Sequence, residues 1–262
     1  MKKIIIIFSF LFFLSLNLSY GKILKVAHRG INKFAPENTI LAIKKAIEMG
    51  FDYVELDVHF SKDGYPVIIH DNSLKRTAGI DKNVSDFTLE ELKKIDVGCW
   101  KGKKFCGEKI PSLEDALQIM QGKIKLYLDL KVPPKKSLIK LLKKYNFYPE
   151  NIVIEGSEIY QKFFRMLDKS APVMPGLENL EDIEKVLEEF PQPFAFNVSW
   201  ENLSKEMLEK AHKNGILIFV NILGDSGKNR EIVEKIVRLK PDAIQTDHPD
   251  ILLEVLESLK EK

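Results

Sequence analysis

The chain has 262 residues, with 40 Lys plus Arg against 38 Asp plus Glu and a formal net charge of +2. That balance leaves no electrostatic footprint for nucleic acid and little for an anionic membrane surface. The length suits one large domain or two small ones, and a barrel of about 250 residues is an ordinary single-domain solution.

Lys2 and Lys3 precede an apolar run, Ile4–Leu18, and Ser19 and Gly21 stand three and one residues before a potential cut. These features describe a secretory signal, so residues 1–21 are expected to be removed and residues 22–262 to form the mature, exported domain. An uncleaved anchor is the competing reading, but the run falls short of the roughly 20 residues that span a bilayer. No stable membrane insertion is expected after cleavage. Cleavage would take away two lysines and no acid, leaving the mature chain formally neutral.

Beyond the signal, strand-like runs alternate with amphipathic ones. The strand candidates are Lys25–His28, Tyr53–His59, Ile124–Leu130, Ile152–Glu155, Pro172–Pro175, Phe194–Val198, Ile216–Asn221 and Asp242–Thr246. Helices are predicted at Thr39–Met49, Lys136–Tyr145, Ile159–Leu167, Leu180–Phe190, Ser204–Lys213, Lys228–Leu239 and Asp250–Leu259. In the first, residues 40, 43, 46, 47 and 49 form one apolar stripe, and Gly50 supplies a stop. Eight strands alternating with helices predict a (β/α)8 TIM barrel.

Val67–Asp71 would be a ninth strand. Asp63-Gly64 is a two-residue hairpin signal, so strand two is expected to double back and set His70 beside Asp57. Residues 72–123 have no place in the alternation and predict a small insertion after that hairpin, with short helical patterns at Leu89–Ile95 and Ser112–Met120. The insertion holds both cysteines, Cys99 and Cys106. In an exported protein this pair predicts a local disulfide contributing roughly 2–3 kcal/mol. Two thiols without a nearby His are too few for zinc.

The chemistry concentrates in Ala27-His28-Arg29-Gly30, Val54-Glu55-Leu56-Asp57-Val58 and Ile69-His70-Asp71. Glu55 and Asp57, two apart on a strand, share one face. If that face is inward, such acids belong at the carboxyl-terminal mouth, where active sites of this architecture lie. A hard cation would relieve their repulsion; a solvated outward pair is the alternative. Asp129, at matching depth on the next strand, favours the inward reading, and Lys131 can aim an ammonium at the same mouth. Arg29 can engage phosphate through a bidentate fork. His28 and His70 would suit general acid–base work on a phosphodiester, with Asp71 a neighbour able to orient His70. His59, His212 and His248 lack such company, and His212 reads as a surface residue.

Residues 25–75 closely resemble the glycerophosphodiester phosphodiesterases, a family of metal-dependent TIM barrels. The resemblance rests on His28-Arg29-Gly30, Ala35-Pro36-Glu37-Asn38-Thr39, Glu55-Leu56-Asp57-Val58, Asp63-Gly64-Tyr65-Pro66-Val67 and His70-Asp71. It extends through the 107–116 segment, Asp129-Leu130-Lys131 and Ile244-Gln245-Thr246-Asp247-His248-Pro249. It implies Glu55, Asp57 and Asp129 as metal ligands, His28 and His70 as acid and base, Arg29 and Lys131 as phosphate contacts, and an insertion that shapes the substrate pocket. Two departures stand out. The family commonly carries Glu where this chain has Asp129, although sphingomyelinase D-type enzymes resemble it in having Asp-x-Lys. The strand ending at Asn221 also lacks the Trp often found nearby, which bears on the alcohol recognised.

These readings lead to an expected metal-dependent hydrolysis of glycerophosphodiesters to glycerol 3-phosphate and an alcohol. Calcium is favoured over magnesium, because an exported protein meets more of it and every predicted ligand is an oxygen. One competing expectation is a phospholipase D-like enzyme acting on lysophospholipid or sphingomyelin. Another is a non-catalytic exported receptor for glycerophosphodiesters.

Overall fold

Alternating apolar strands and one-sided helices curl into a single parallel sheet. The computed structural model describes residues 22–259; the expected signal, residues 1–21, lies outside them. In chain order the elements are β1 (Leu24–Ala27), α1 (Ile40–Glu48), β2 (Tyr53–Phe60), β3 (Pro66–Ile68), α2 (Lys75–Ala78), α3 (Leu89–Leu92), α4 (Leu113–Met120), β4 (Lys125–Leu130) and α5 (Lys136–Lys144). There follow β5 (Ile152–Gly156), α6 (Glu158–Leu167), α7 (Ile183–Glu189), β6 (Ala195–Ser199), α8 (Lys205–Lys213), β7 (Leu217–Ile222), α9 (Arg230–Leu239), β8 (Ala243–Thr246) and α10 (Pro249–Ser258). The sheet order is β5-β4-β2-β1-β8-β7-β6, and β3 pairs antiparallel with β2 off the end of the barrel.

The eighth place, between β5 and β6, is filled by residues 172–177, predicted as a strand from Pro172 to Pro175. The segment is bonded on both sides: Met174 N donates to Ile154 O at 2.8 Å and Phe194 N to Val173 O at 2.9 Å. Its two prolines have no N–H to give a ladder. It therefore closes the (β/α)8 barrel through isolated bridges rather than as a regular strand.

Each of the eight places sends one side chain into the lower interior: Val26, Tyr53, Tyr127, Val153, Met174, Ala195, Phe219 and Ala243. Large and small residues interdigitate, with the Tyr53 and Phe219 rings edge-on at 5.7 Å. Two residues further along the strands the same face becomes polar, with His28, Glu55, Asp129, Glu155, Asn197, Asn221 and Gln245. The apolar layer is a floor, and the functional groups stand on it.

The hairpin differs from expectation by one residue. His59 pairs with Val67, and Ile69 N donates to Asp57 O at 3.0 Å, so Ile69 rather than His70 lies opposite Asp57. The turn holds three residues, 62–64, not two. Ser61 N donates to Tyr65 O, Gly64 N to Ser61 O, and Gly64 takes φ +86°. The segment beyond it has a small core of its own, in which Val67, Leu74, Val84, Leu92, Val97 and Ile110 are buried together. Cys99 and Cys106 are disulfide-bonded. Helix α4, placed with the insertion from sequence, packs Leu113, Ala116, Leu117 and Met120 into the main core as the crossover between β2 and β4. Ser112 and Asp115 start it with a capping box.

Gly30 joins β1 to the site loop at φ +78°, and a Cβ there would lie 2.6 Å from that of Ala42 on α1. Overpacking and left-handed strain together make Gly30→Ala cost about 3 kcal/mol. The expected outcome is a melting temperature roughly 6–12 °C lower, measured by calorimetry on the purified variant.

Candidate active site

Alternation along β2 turns Glu55 and Asp57 to the interior, and parallel pairing with β4 sets Asp129 in register with Asp57. One carboxylate oxygen from each of the three lies within 4.8 Å of the others. Glu55 and Asp57 are 2% and 1% exposed, so their charges are not relieved by water.

Fixed cations and dipoles surround the cluster. Lys131 Nζ lies 3.0 Å from Asp57 Oδ1 and 2.5 Å from Asp129 Oδ2. Arg29 Nε is 3.4 Å from Asp57 Oδ2, and Asn38 Nδ2 donates to that oxygen at 2.6 Å. Arg29 and Asn38 both hold left-handed backbone, φ 52° and 58°. The turn they form lets Arg29 N donate to Glu55 Oε2 at 2.6 Å.

Burial, followed by the charges of Asp57 and Asp129, pushes Glu55 well above the ordinary carboxylate range. Burial acts the same way on Asp57, but Lys131 and Arg29 outweigh it and hold that carboxyl low. Asp129 is raised by burial in spite of Lys131. One group of three acids is thus forced together with too little positive charge, and the donors are all hard oxygens. That set fits a divalent cation such as Ca²⁺ or Mg²⁺.

The imidazoles flank the cluster, each held by a carboxylate. His28 Nδ1 lies 2.6 Å from Asp247 Oδ1, and its Nε2 is 4.0 Å from Glu55 Oε2. Against its burial, Asp247 is kept strongly acidic by His28, the Gly224 N–H and Asn32. His70 Nδ1 lies 2.6 Å from Asp71 Oδ1, so the sequence neighbour does make contact. Arg76 donates to Asp71 from Nε at 2.7 Å and to Glu37 through both terminal nitrogens. It brings the Asp71 carboxyl down to about 2. Glu37 in turn accepts from Arg29 at 3.0 Å. A continuous chain of charge therefore runs from His70 through Asp71, Arg76, Glu37 and Arg29 to Asp57.

The structure thus brings His28, Arg29, Glu55, Asp57, His70, Asp129 and Lys131 to one mouth. It also adds groups that sequence reasoning left out. Asp247 and Glu37 sat in quoted motifs without a role, and Arg76 lay in the insertion with no signal at all. His59, thought to lack company, is buried and donates from Nε2 to the His70 carbonyl at 3.1 Å, tying the second imidazole's backbone to β2. His212 pairs with Asp242 at the opposite end of the barrel. His248 is 8% exposed and donates to Gly224 O. Glu155 is a fourth inward acid, in register with Asp129. Tyr127 Oη donates to it at 2.8 Å, Asn197 Nδ2 also donates to it, and burial pushes its carboxyl up to about 7.

Residues 28–251 match the model of the glycerophosphoryl diester phosphodiesterase family. The chain belongs to that family. A glycerophosphodiester phosphodiesterase of Caldanaerobacter subterraneus subsp. tengcongensis is similar, at 36% identity over 250 residues that cover 90% of this chain and 98% of the relative. Among solved structures, the glycerophosphodiester phosphodiesterase of Agrobacterium tumefaciens superposes with a TM-score of 0.79 at 26% identity, covering 89% of this chain and all of that one. A phosphodiesterase of Oleispira antarctica, in complex with the product sn-glycerol-3-phosphate, shares the fold at a TM-score of 0.75 and 24% identity, covering 89% of this chain and 96% of that one. The glycerophosphoryl diester phosphodiesterase family model begins at His28 and so includes every residue of the cluster.

Proposed function

We propose that this family member hydrolyses glycerophosphodiesters to glycerol 3-phosphate and an alcohol, using a divalent cation and the two imidazoles. The observation that carries the reading is the meeting of three acids within 4.8 Å, flanked by two histidines each fixed through Nδ1. Glu55, Asp57 and Asp129 would hold the cation, with calcium favoured over magnesium. When bound, it supplies Lewis acidity at a phosphoryl oxygen.

The chain's own groups account for the rest. Arg29 and Lys131 present positive charge where phosphate gathers negative charge. With Nδ1 engaged by a carboxylate, each ring keeps Nε2 for proton transfer. One imidazole removes the proton from the attacking oxygen, whether of water or of the glycerol 2-hydroxyl. That oxygen bonds to phosphorus as the bond to the leaving alcohol breaks, and the second imidazole delivers a proton to the departing oxygen. An exported location, through a signal in residues 1–21, is supported by the Cys99–Cys106 disulfide.

The test is glycerol 3-phosphate release from glycerophosphocholine by the purified protein, with chelator and with cations added back singly. Turnover should vanish with chelator and return with calcium. Absence of turnover with every cation, or indifference to chelator, would refute the reading. Phe34, in the turn between β1 and α1, and Trp100, in a short 3-10 helix of the insertion, are large apolar residues 40% and 42% exposed, and they favour a second reading in which lysophospholipid is the substrate. The same assay with lysophosphatidylcholine separates the two.

A further inference from the structure

The two imidazole–carboxylate pairs are supported in different ways. Asp247, which fixes His28, also accepts from Gly224 N at 2.8 Å and from Asn32 Nδ2, in the loops that follow β7 and β1. The barrel itself therefore holds that carboxylate. Asp71, which fixes His70, is 29% exposed, and its other side-chain partner among the described residues is Arg76 of α2. Arg76 Nε donates to Asp71 Oδ2 at 2.7 Å and Nη2 to Oδ1 at 3.1 Å.

Glu37 takes the remaining edge of the same guanidinium, with Nη1 to Oε2 at 2.9 Å and Nη2 to Oε1 at 2.7 Å. One planar fork thus bridges two acids, a task an ammonium does poorly. Glu37 stands in the turn between β1 and α1 and is 11% exposed, so it anchors the bridge to the barrel. Helix α2 is placed by the insertion: Leu74, which precedes it, lies in the insertion's own core, and the Trp100 ring has Arg76 at 5.8 Å. Without the guanidinium, Asp71 and Glu37 would meet as like charges. Asp71 could then turn to water and release His70 Nδ1.

We propose that Arg76 is a positioning residue for the second imidazole, and that the insertion thereby completes the proton-transfer pair that the barrel begins. The proposal rests on the phosphodiesterase reading above. Arg76→Gln should lower kcat for glycerophosphocholine about tenfold or more with KM little changed. Its melting temperature should stay within about 4 °C of wild type. Arg76→Lys keeps a charge for folding but lacks the fork, so it should lose about as much activity. Added to Asp71→Asn, Arg76→Gln should cost no more than about twofold further in kcat; added to Asp247→Asn, it should act in full. Long-range proton–nitrogen correlation spectra of the imidazoles read the same effect without turnover. His70, assigned by its loss in His70→Ala, should carry its proton on Nδ1 in the wild type and shift toward Nε2 in both Arg76 variants, while His28 is unchanged. A rise in KM alone, full multiplication with Asp71→Asn, or a His70 proton unmoved in both variants would overturn the proposal. If no diester is cleaved, the phosphodiesterase reading fails, and the imidazole spectra alone decide this one.

Discussion

Alanine at His28 or at His70 is expected to lower kcat by about 10²- to 10⁴-fold, the range that a positioned proton-transfer group contributes. The two rings are not redundant, because each is fixed by a different carboxylate on a different segment, Asp247 after β8 and Asp71 after β3. Loss of either should therefore remove one proton transfer whole. Neither ring belongs to the buried apolar core, so circular dichroism and melting temperature should stay close to wild type. Steady-state kinetics with glycerophosphocholine and saturating calcium check this, and wild-type rates in either variant would end the acid–base assignment. Asp247→Asn tests the same point indirectly. The ring would keep a neighbour but lose the carboxylate that holds Nδ1–H, so kcat should fall by about tenfold or more while KM changes little.

The second large effect is expected at Glu55. Its carboxyl is raised well above 4.5 by burial and by two neighbouring acids. An acid whose pKa is higher folded than unfolded binds its proton more tightly in the folded state. Without cation, this site's contribution to stability should therefore rise as pH falls from the folded pKa toward 4.5 and level off below that. Calcium should remove the dependence, because it favours the charged form. At a hundredfold excess over Kd it adds about 2.7 kcal/mol, roughly 5–11 °C in melting temperature for a domain of this size. Glu55→Gln keeps an oxygen to accept from Arg29 N and removes one charge from the crowded cluster. The variant should melt slightly higher than wild type in chelator, lose at least half of the calcium-induced shift, and turn over about 10²-fold more slowly or worse. Melting curves from pH 5 to 8 with chelator or calcium distinguish these results. A full calcium shift in the variant would remove Glu55 from the ligand set.

Much of the site was legible because a strand's period of two is rigid. Once Glu55 and Asp57 are placed inward, Asp129 and Lys131 follow from the pairing of β2 with β4. The hairpin register was not legible, since Asp63-Gly64 suits both a two-residue turn and the three-residue turn that forms. The place filled by 172–177 was found, but its proline-limited bonding was not readable as anything short of a strand. Arg76 escaped notice because its partners, Glu37 and Asp71, are 39 and 5 residues away and meet only when the insertion folds down. Glu155 was visible as the last residue of a strand. Its role depended on Tyr127 and Asn197 reaching it from other strands of the barrel.

The ring of Val26, Tyr53, Tyr127, Val153, Met174, Ala195, Phe219 and Ala243 has a kinetic consequence. It makes the barrel a cul-de-sac, so the phosphorylated fragment must back out along the route the diester took inward. Until it leaves, no fresh diester can dock, and glycerol 3-phosphate should compete directly with substrate.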